Sequence, residues 1–290
     1  MKIIIWGHKL HSHTHSYIHA GFYKAFKFLG YDTYWFDNND DVKTFNFDNC
    51  LFITETQVDQ NIPISVSSKY VLHNCDPNKY KNLNILNLQV YSNGIENSVG
   101  VSGQKINDCI YYDSIKKCLY QPWATDLLPN EIYDYYHTAD NKTAVWIGSI
   151  WNGYHGNVSE INPFIESLSL TNYKFLTYYS GKTSFDENKF IVQSNELAPS
   201  IVGRWQKVNG YLPCRIFKNI SYGKLGMTNS KTVYELLENN VLYSEDTSNL
   251  LSLYLGTDDT TKRNMFKNSL KLVKENHTYI NRINTILQII

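Results

Sequence analysis

None of the five cysteines, Cys50, Cys75, Cys109, Cys118 and Cys214, stands in a CxxC pair, and their number is odd. That spacing excludes a thioredoxin-type redox pair and a zinc ribbon, and the set reads as reduced thiols of a cytoplasmic protein. No GxGxxG follows the first apolar run, which disfavours a dinucleotide-dependent redox enzyme. There is no HExxH and no dense Lys/Arg run; 27 basic residues balance 27 acidic ones to a net charge of +0. A chain so balanced carries no broad electrostatic footprint for a polyanion, so nucleic acid is not an expected partner. No apolar run is long enough to span a bilayer, and the opening MKIIIWG is too short for a signal-peptide core. The apolar share, 42%, is that of an ordinary globular chain and excludes wholesale disorder.

What is present reads as alternating strand and helix. KIIIW, residues 2–6, is a short apolar run stopped by Gly7, as expected of a buried parallel strand. Ile18, Phe22, Ala25 and Leu29 then recur at helical spacing, with Thr14 or Ser16 as a start signal and Gly30 just past the end. YDTYWFD, residues 31–37, completes a βαβ unit. CLFIT (50–54), KYVLHN (69–74), NLQVYS (87–92) and CIYYDS (109–114) read as further strands. A passage with Pro122 and Pro129 breaks this rhythm. A second series begins at TAVWIGSI (143–150), followed by a helix INPFIESL with Asn162 as its cap and Pro163 in its first turn. YKFLTYYSG and NKFIVQS read as strands, RIFKNISYG as a short helix, and a further helix is capped at Asn229 or Ser230. From about Thr260 the chain is helical.

Two stretches carry candidate chemistry. GHKLHSHTHSYIHAG, residues 7–21, holds His8, His11, His13, His15 and His19. His15 and His19, four apart, share a helix face as paired metal ligands do, but no neighbouring Asp, Glu or Cys cluster completes a shell. In open α/β sheets ligands bind beyond the carboxyl ends of the strands, which is where this loop falls. A neutral imidazole there can take a proton from a hydroxyl near pH 7. The second stretch, residues 203–246, puts Arg215 at the head of a helix-like run. A glycine turn at Gly223 and a polar TNS cap, Thr228 to Ser230, follow. Helix amides and an Arg fork suit a diphosphate, with Lys218 and Lys224 adding charge and Glu235 accepting sugar or ribose hydroxyls.

These passages together resemble a GT-B glycosyltransferase. MKIIIWGH…SYIHAGFYKAFKFLGYDTYWFD resembles the opening βαβ of its acceptor domain, and YQPWATDLLP the entry to its interdomain linker. AVWIGSIWNGYHGN is similar to the first strand and glycine loop of the donor domain, and LPCRIFKNISYGKLGMTNSKTVYELLENNVLY to the donor-site signature. The resemblance implies two Rossmann-like α/β domains facing across a cleft, with C-terminal helices. Residues 1–125 would be the acceptor-side domain, 126–142 the linker, 143–270 the nucleotide-sugar domain, and 271–290 a helix packing back on the first domain. It implies transfer of a hexosyl or pentosyl group from a nucleotide-diphosphate sugar to a hydroxyl of a glycan or glycoconjugate. No cofactor and no bound metal are then expected, protein cations taking over the leaving-group charge. Gly148 and Ser149 would approach the phosphates with Arg215, Lys218, Gly223, Thr228, Asn229, Ser230, Lys231 and Glu235. His11, Asp37 and His73 would bind the acceptor, and His13 or His15 would be the base of an inverting enzyme. The chain departs from the group-1 signature of two glutamates seven residues apart, since Lys218 occupies the first acid's position. A metal-dependent hydrolase built on the histidines and a non-catalytic carbohydrate-binding protein are the alternatives.

Overall fold

The computed structural model describes residues 1–9, 14–55, 61–74, 80, 82–95, 98–178 and 183–290. The chain divides into two compact units, Met1–Asp126 with Tyr279–Ile290, and Leu127–Thr278. Among the described residues no helix is long and apolar enough to cross a membrane.

Among the described residues, unit 1 is built on one sheet of eight strands. In chain order its elements are β1 (Lys2–Trp6), α1 (Thr14–Phe28), β2 (Thr33–Phe36), β3 (Cys50–Glu55) and β4 (Lys69–His73). β5 (Asn84–Gln89), β6 (Gln104–Asn107), β7 (Ile110–Asp113) and β8 (Cys118–Tyr120) follow. The order across the sheet is β2-β1-β3-β4-β5-β8-β7-β6, parallel from β2 to β8 and antiparallel at the β8-β7-β6 end. KIIIW is apolar without alternation because both of its faces are covered: Ile3, Ile4 and Ile5 are wholly buried. Ile4 and Trp6 join Phe52, Tyr70 and Leu72 in one core. α1 buries Ile18, Phe22 and Ala25 as their spacing predicts, with Phe26 in place of the expected Leu29, which lies past the helix end and is exposed. It stops at Gly30, whose φ of +82° is a conformation that glycine adopts without cost. Truncating Phe22 to alanine would cost about 3–5 kcal/mol, the usual loss for a buried phenylalanine.

Unit 2 contains β9 (Thr143–Ile147), α2 (Val158–Ser169), β10 (Lys174–Tyr178), α3 (Phe185–Ser194), α4 (Arg204–Val208) and α5 (Cys214–Ser221). β11 (Met227–Thr228), α6 (Lys231–Leu236), β12 (Leu242–Tyr243), α7 (Leu250–Gly256) and α8 (Asp259–Asn276) complete it. β9 pairs with β10 and β11 with β12, all parallel. Bridges Ala144–Leu197 and Ser200–Thr228 set residues 197–200 between the two pairs as a linking strand. The chain then returns to unit 1 as α9 (Tyr279–Ile289), where Tyr279 lies 4.7 Å from Phe22, ring centroid to ring centroid. A Cβ on Gly21 would run into the Tyr279 ring, so glycine there is what admits α9 against α1.

Two elements differ from the sequence reading. NKFIVQS lies in helix α3, not in a strand. Ser184 accepts from the Glu187 amide and the Glu187 carboxylate from the Ser184 amide, a capping box that outweighs the β-like composition. α2 begins at Val158 after Asn157, so Asn162 lies inside the helix rather than at its cap. Asn157 is tied to the preceding loop, its Oδ1 accepting from the Trp151 amide at 3.0 Å.

Candidate functional site

In unit 2, β9 ends at Ile147 and the chain turns at Gly148, whose φ is +127°. Arg215, the second residue of α5, crosses to this turn. Its Cζ sits 3.7 Å from the Trp146 ring centroid, and Nη2 and Nε donate to the Ile147 carbonyl at 2.9 and 3.3 Å. A Cβ on Gly148 would lie 2.6 Å from Nη2, so glycine is what lets the cation reach the strand end. Desolvation pushes the guanidinium pKa down. Among the described residues no carboxylate stands within ion-pair distance of it. A cation held out of water without a counter-charge is costly until an anion arrives. The first turn of an eight-residue helix adds dipole and amides of the same sign.

The other expected donor residues are placed as follows. Ser149, exposed, follows Gly148 directly and its carbonyl accepts from Asn157 Nδ2. Lys218 lies one turn along α5 from Arg215, with Nζ 5.8 Å from the Tyr222 ring centroid. Gly223, φ +97°, carries residues 135–137: its carbonyl accepts from the His137 amide, and a Cβ would strike the His137 ring. Beside it Lys224 is buried, donates to the His137 carbonyl at 2.7 Å, and has its pKa pushed down to about 8 by burial. Thr228, Asn229 and Ser230 are buried and used internally. Thr228 Oγ1 accepts from the Ser230 amide, Asn229 bonds both Val202 backbone groups and Glu160, and Ser230 caps α6. Lys231 and Glu235 are exposed and pair with each other at 3.6 Å. Gly148 and Arg215 are therefore brought into contact, whereas the Thr228 and Ser230 side chains are spent on the β11–α6 turn and that of Asn229 on Val202 and Glu160.

In unit 1 the carboxyl ends of adjacent strands gather polar groups. His8 follows β1 with φ +52°, uncommon for a residue with a Cβ. Glu55 closes β3 and His73 closes β4, paired in register. His15 and His19 come down from the first turns of α1. The His8–His15, His8–His19 and His15–His73 ring centroids are 5.3, 5.2 and 5.5 Å apart. His8 Nε2 is 3.6 Å from Glu55 Oε2, and Asn74 Nδ2 donates to Glu55 Oε1 at 3.3 Å. His19 and His73 bond through Nδ1 to the carbonyls of Gly7 and Leu88, at 2.8 and 2.9 Å. A carbonyl only accepts, so each Nδ1 carries the proton and each Nε2 a lone pair. Burial lowers both pKa values, that of His19 to about 3. Trp123 walls the cluster, 5.0 Å from His73 and 6.2 Å from His15, centroid to centroid.

Sequence reading placed no acid beside the histidines, and the structure corrects this: Glu55 arrives from a strand whose apolar run ends two residues earlier, at Ile53. His8 was named among the loop histidines without a role of its own, and Trp123, Gln89 and Gln121 were not singled out. Gln89, at the end of β5, has a buried Oε1, and Gln121, just beyond β8, a buried carboxamide, with no partner for these atoms among the described residues. Their signal in sequence is weak, since an isolated Gln after a strand is ordinary. Asp37 does not join the cluster; its Oδ1 accepts from the Asn39 amide in the turn after β2. His11 and His13 lie outside the described residues.

No protein-family model matches the chain, and no curated protein sequence does. Solved structures do. An alpha-glucosyltransferase (AGT) in complex with UDP aligns over 100% of this chain and 99% of its own, with a TM-score of 0.65 and 9% identity. An alpha-glucosyltransferase in complex with UDP and a 13-mer DNA containing a HMU base aligns over the same shares, with a TM-score of 0.59 and 10% identity. At such identities the likeness speaks for architecture, and the chain has the α/β fold of the GT-B glycosyltransferases.

Proposed function

We propose that this chain is a nucleotide-sugar glycosyltransferase that moves a hexosyl group, glucosyl as the first candidate, from a uridine diphosphate sugar to an acceptor hydroxyl. The observation that carries the reading is Arg215: a desolvated guanidinium with no carboxylate partner among the described residues, beside Gly148 and at the head of α5. A diphosphate supplies the missing charge and fits the Arg fork. As the bond from the sugar's anomeric carbon to phosphate oxygen breaks, the diphosphate leaves with the electron pair. Arg215 and the α5 amides stabilise that growing charge, so the donor half needs no divalent cation. The acceptor oxygen bonds to the same carbon and gives up its proton to a general base.

For the acceptor, the solved structure holding a DNA with a modified base favours a hydroxymethylated base over a glycan. The expectation against nucleic acid rested on net charge, which is a whole-chain sum and says nothing of one face. Gln89 and Gln121 are suited to read a base edge as well as a sugar. The test is a thermal-shift panel of nucleoside diphosphates and their sugars, with and without chelator, followed by turnover on hydroxymethylpyrimidine DNA and on free glycans. UDP or its sugar should raise the melting temperature of the wild type and not of Arg215→Ala, and chelator should leave that increment unchanged. A panel with no nucleotide response overturns the reading.

A further inference from the structure

We propose that His8, His15 and Glu55 form a binding site for a divalent transition metal in unit 1. The three come from separate elements: the turn after β1, the first turn of α1 and the end of β3. One ligand atom from each lies within 4.8 Å of the other two. Around a tetrahedral ion with bonds of about 2.0–2.2 Å the ligand atoms stand about 3.4 Å apart. Loading therefore draws the side-chain ends inward by roughly an ångström, and the 3.6 Å His8–Glu55 pair is already near that spacing.

Further features fit a metal better than a plain polar cluster. Glu55 and His8 are buried, and a 2+ ion compensates a carboxylate there. Two more imidazoles border the set, and each is held by Nδ1–H to a backbone carbonyl, which leaves Nε2 as a lone-pair donor. His73 and His19 line the set without belonging to it, so three protein ligands leave the fourth position open. His8 adopts a left-handed backbone conformation, a cost that the surrounding structure bears to aim this one imidazole. Imidazole nitrogens with one carboxylate suit Zn(II), Co(II), Ni(II) or Fe(II), not the all-oxygen shells of Mg(II) or Ca(II).

The site departs from the expectation of no bound metal, and it is independent of the nucleotide reading, which concerns the donor half. It also removes His15 as a free base, because one nitrogen then faces the ion and the other carries its proton.

The test titrates metal-free full-length protein with Co(II), read by visible d–d absorption and thermal shift. One equivalent should bind with the intense bands of four- or five-coordinate cobalt, and Zn(II) should displace it. Glu55→Gln, His15→Gln and His8→Asn should each weaken binding by more than ~10-fold, the least that disturbing even the outer contacts costs. Asparagine tolerates positive φ, so His8→Asn keeps the backbone while deleting the imidazole. The UDP-induced shift, measured on the same samples, reports that each variant is folded. Absence of cobalt binding by the wild type, or equal binding by all three variants, overturns the site. A UDP response without cobalt binding sinks the metal site alone; cobalt binding without a UDP response sinks the nucleotide reading alone.

Discussion

Unit 2 holds a cation with no counter-ion among the described residues at the end of a parallel strand, and unit 1 holds imidazoles around a carboxylate at the ends of three. Burial acts on both but with different consequences. Arginine keeps its proton even when desolvated, so Arg215 stays charged and its cost is relieved by an incoming anion. Histidine gives up its proton when desolvated, so His19 and His73 become neutral lone-pair donors at neutral pH. The same physical pressure therefore makes an anion site of one residue type and a cation or proton site of the other.

The contrast is broken most severely at Arg215. Arg215→Ala should abolish the UDP thermal shift and lower kcat/KM by at least ~100-fold, the scale of losing one pre-set donor to a developing anion. Arg215→Lys should restore only part of this, since an ammonium cannot straddle the Ile147 carbonyl and a phosphate as a fork does. Gly148→Ala comes next. At φ +127° any Cβ is strained, by about 1–3 kcal/mol, and this one also presses on Nη2. A lowered melting temperature together with weakened UDP binding is expected; a variant that binds UDP normally would detach the turn from the site.

The first βαβ unit is legible in sequence because its signals are local: KIIIW is apolar on both faces, Ile18 to Phe26 keep helical spacing, and Gly30 stops the helix. α3 is not, because Phe190, Ile191 and Val192 read as a strand unless the capping box around Ser184 is weighed first. The candidate sites divide in the same way. Arg215 stands out alone as a cation at a helix head, yet its contact with Gly148 spans 67 positions and needs the fold. The histidine count drew attention to residues 8–19, but what gives them chemistry is Glu55, set beside them by the β1–β3 register Trp6–Thr54. No periodicity reports which strand end lies beside which. Within the loop, sequence favoured His13 and His15 for nearness to the helix; among the described residues both His8 and His15 stand beside the carboxylate.

A smaller effect sharpens the electrostatic side of the comparison. Lys224 has its pKa lowered to about 8 from an ordinary 10.5, while the unfolded chain keeps the higher value. Between those two values the unfolded state binds more protons than the folded one, so stability rises with pH across that window. The slope should approach 1.4 kcal/mol per pH unit from Lys224 alone. Buried Cys50, Cys109 and Cys118, with raised pKa values, oppose this gain in the same window, so denaturant titrations at pH 8 and pH 9.5 should show the wild type gaining stability relative to Lys224→Met, whatever the sign of the sum. Tyr173 and Tyr254 have raised pKa values and oppose it only at higher pH.

The smallest expected change in stability is at the exposed Lys231–Glu235 pair. An i,i+4 ion pair on a helix surface contributes about 0.3–0.5 kcal/mol, so Glu235→Gln should leave the melting temperature almost unmoved. Donor affinity separates the two roles that Glu235 can have. If its carboxylate leaves Lys231 to accept hydroxyls of the donor, Glu235→Gln lowers affinity by about tenfold, the worth of a hydrogen bond to a charged group. That loss should be seen with UDP and UDP-glucose alike for ribose contact, and with UDP-glucose alone for sugar contact. Titration of both ligands into wild type and variant reads the difference, and we expect the ribose pattern because ribose hydroxyls are common to every donor of the class. If neither ligand is affected, Glu235 is a surface residue and Arg215 with the Gly148 turn carries the donor site without it.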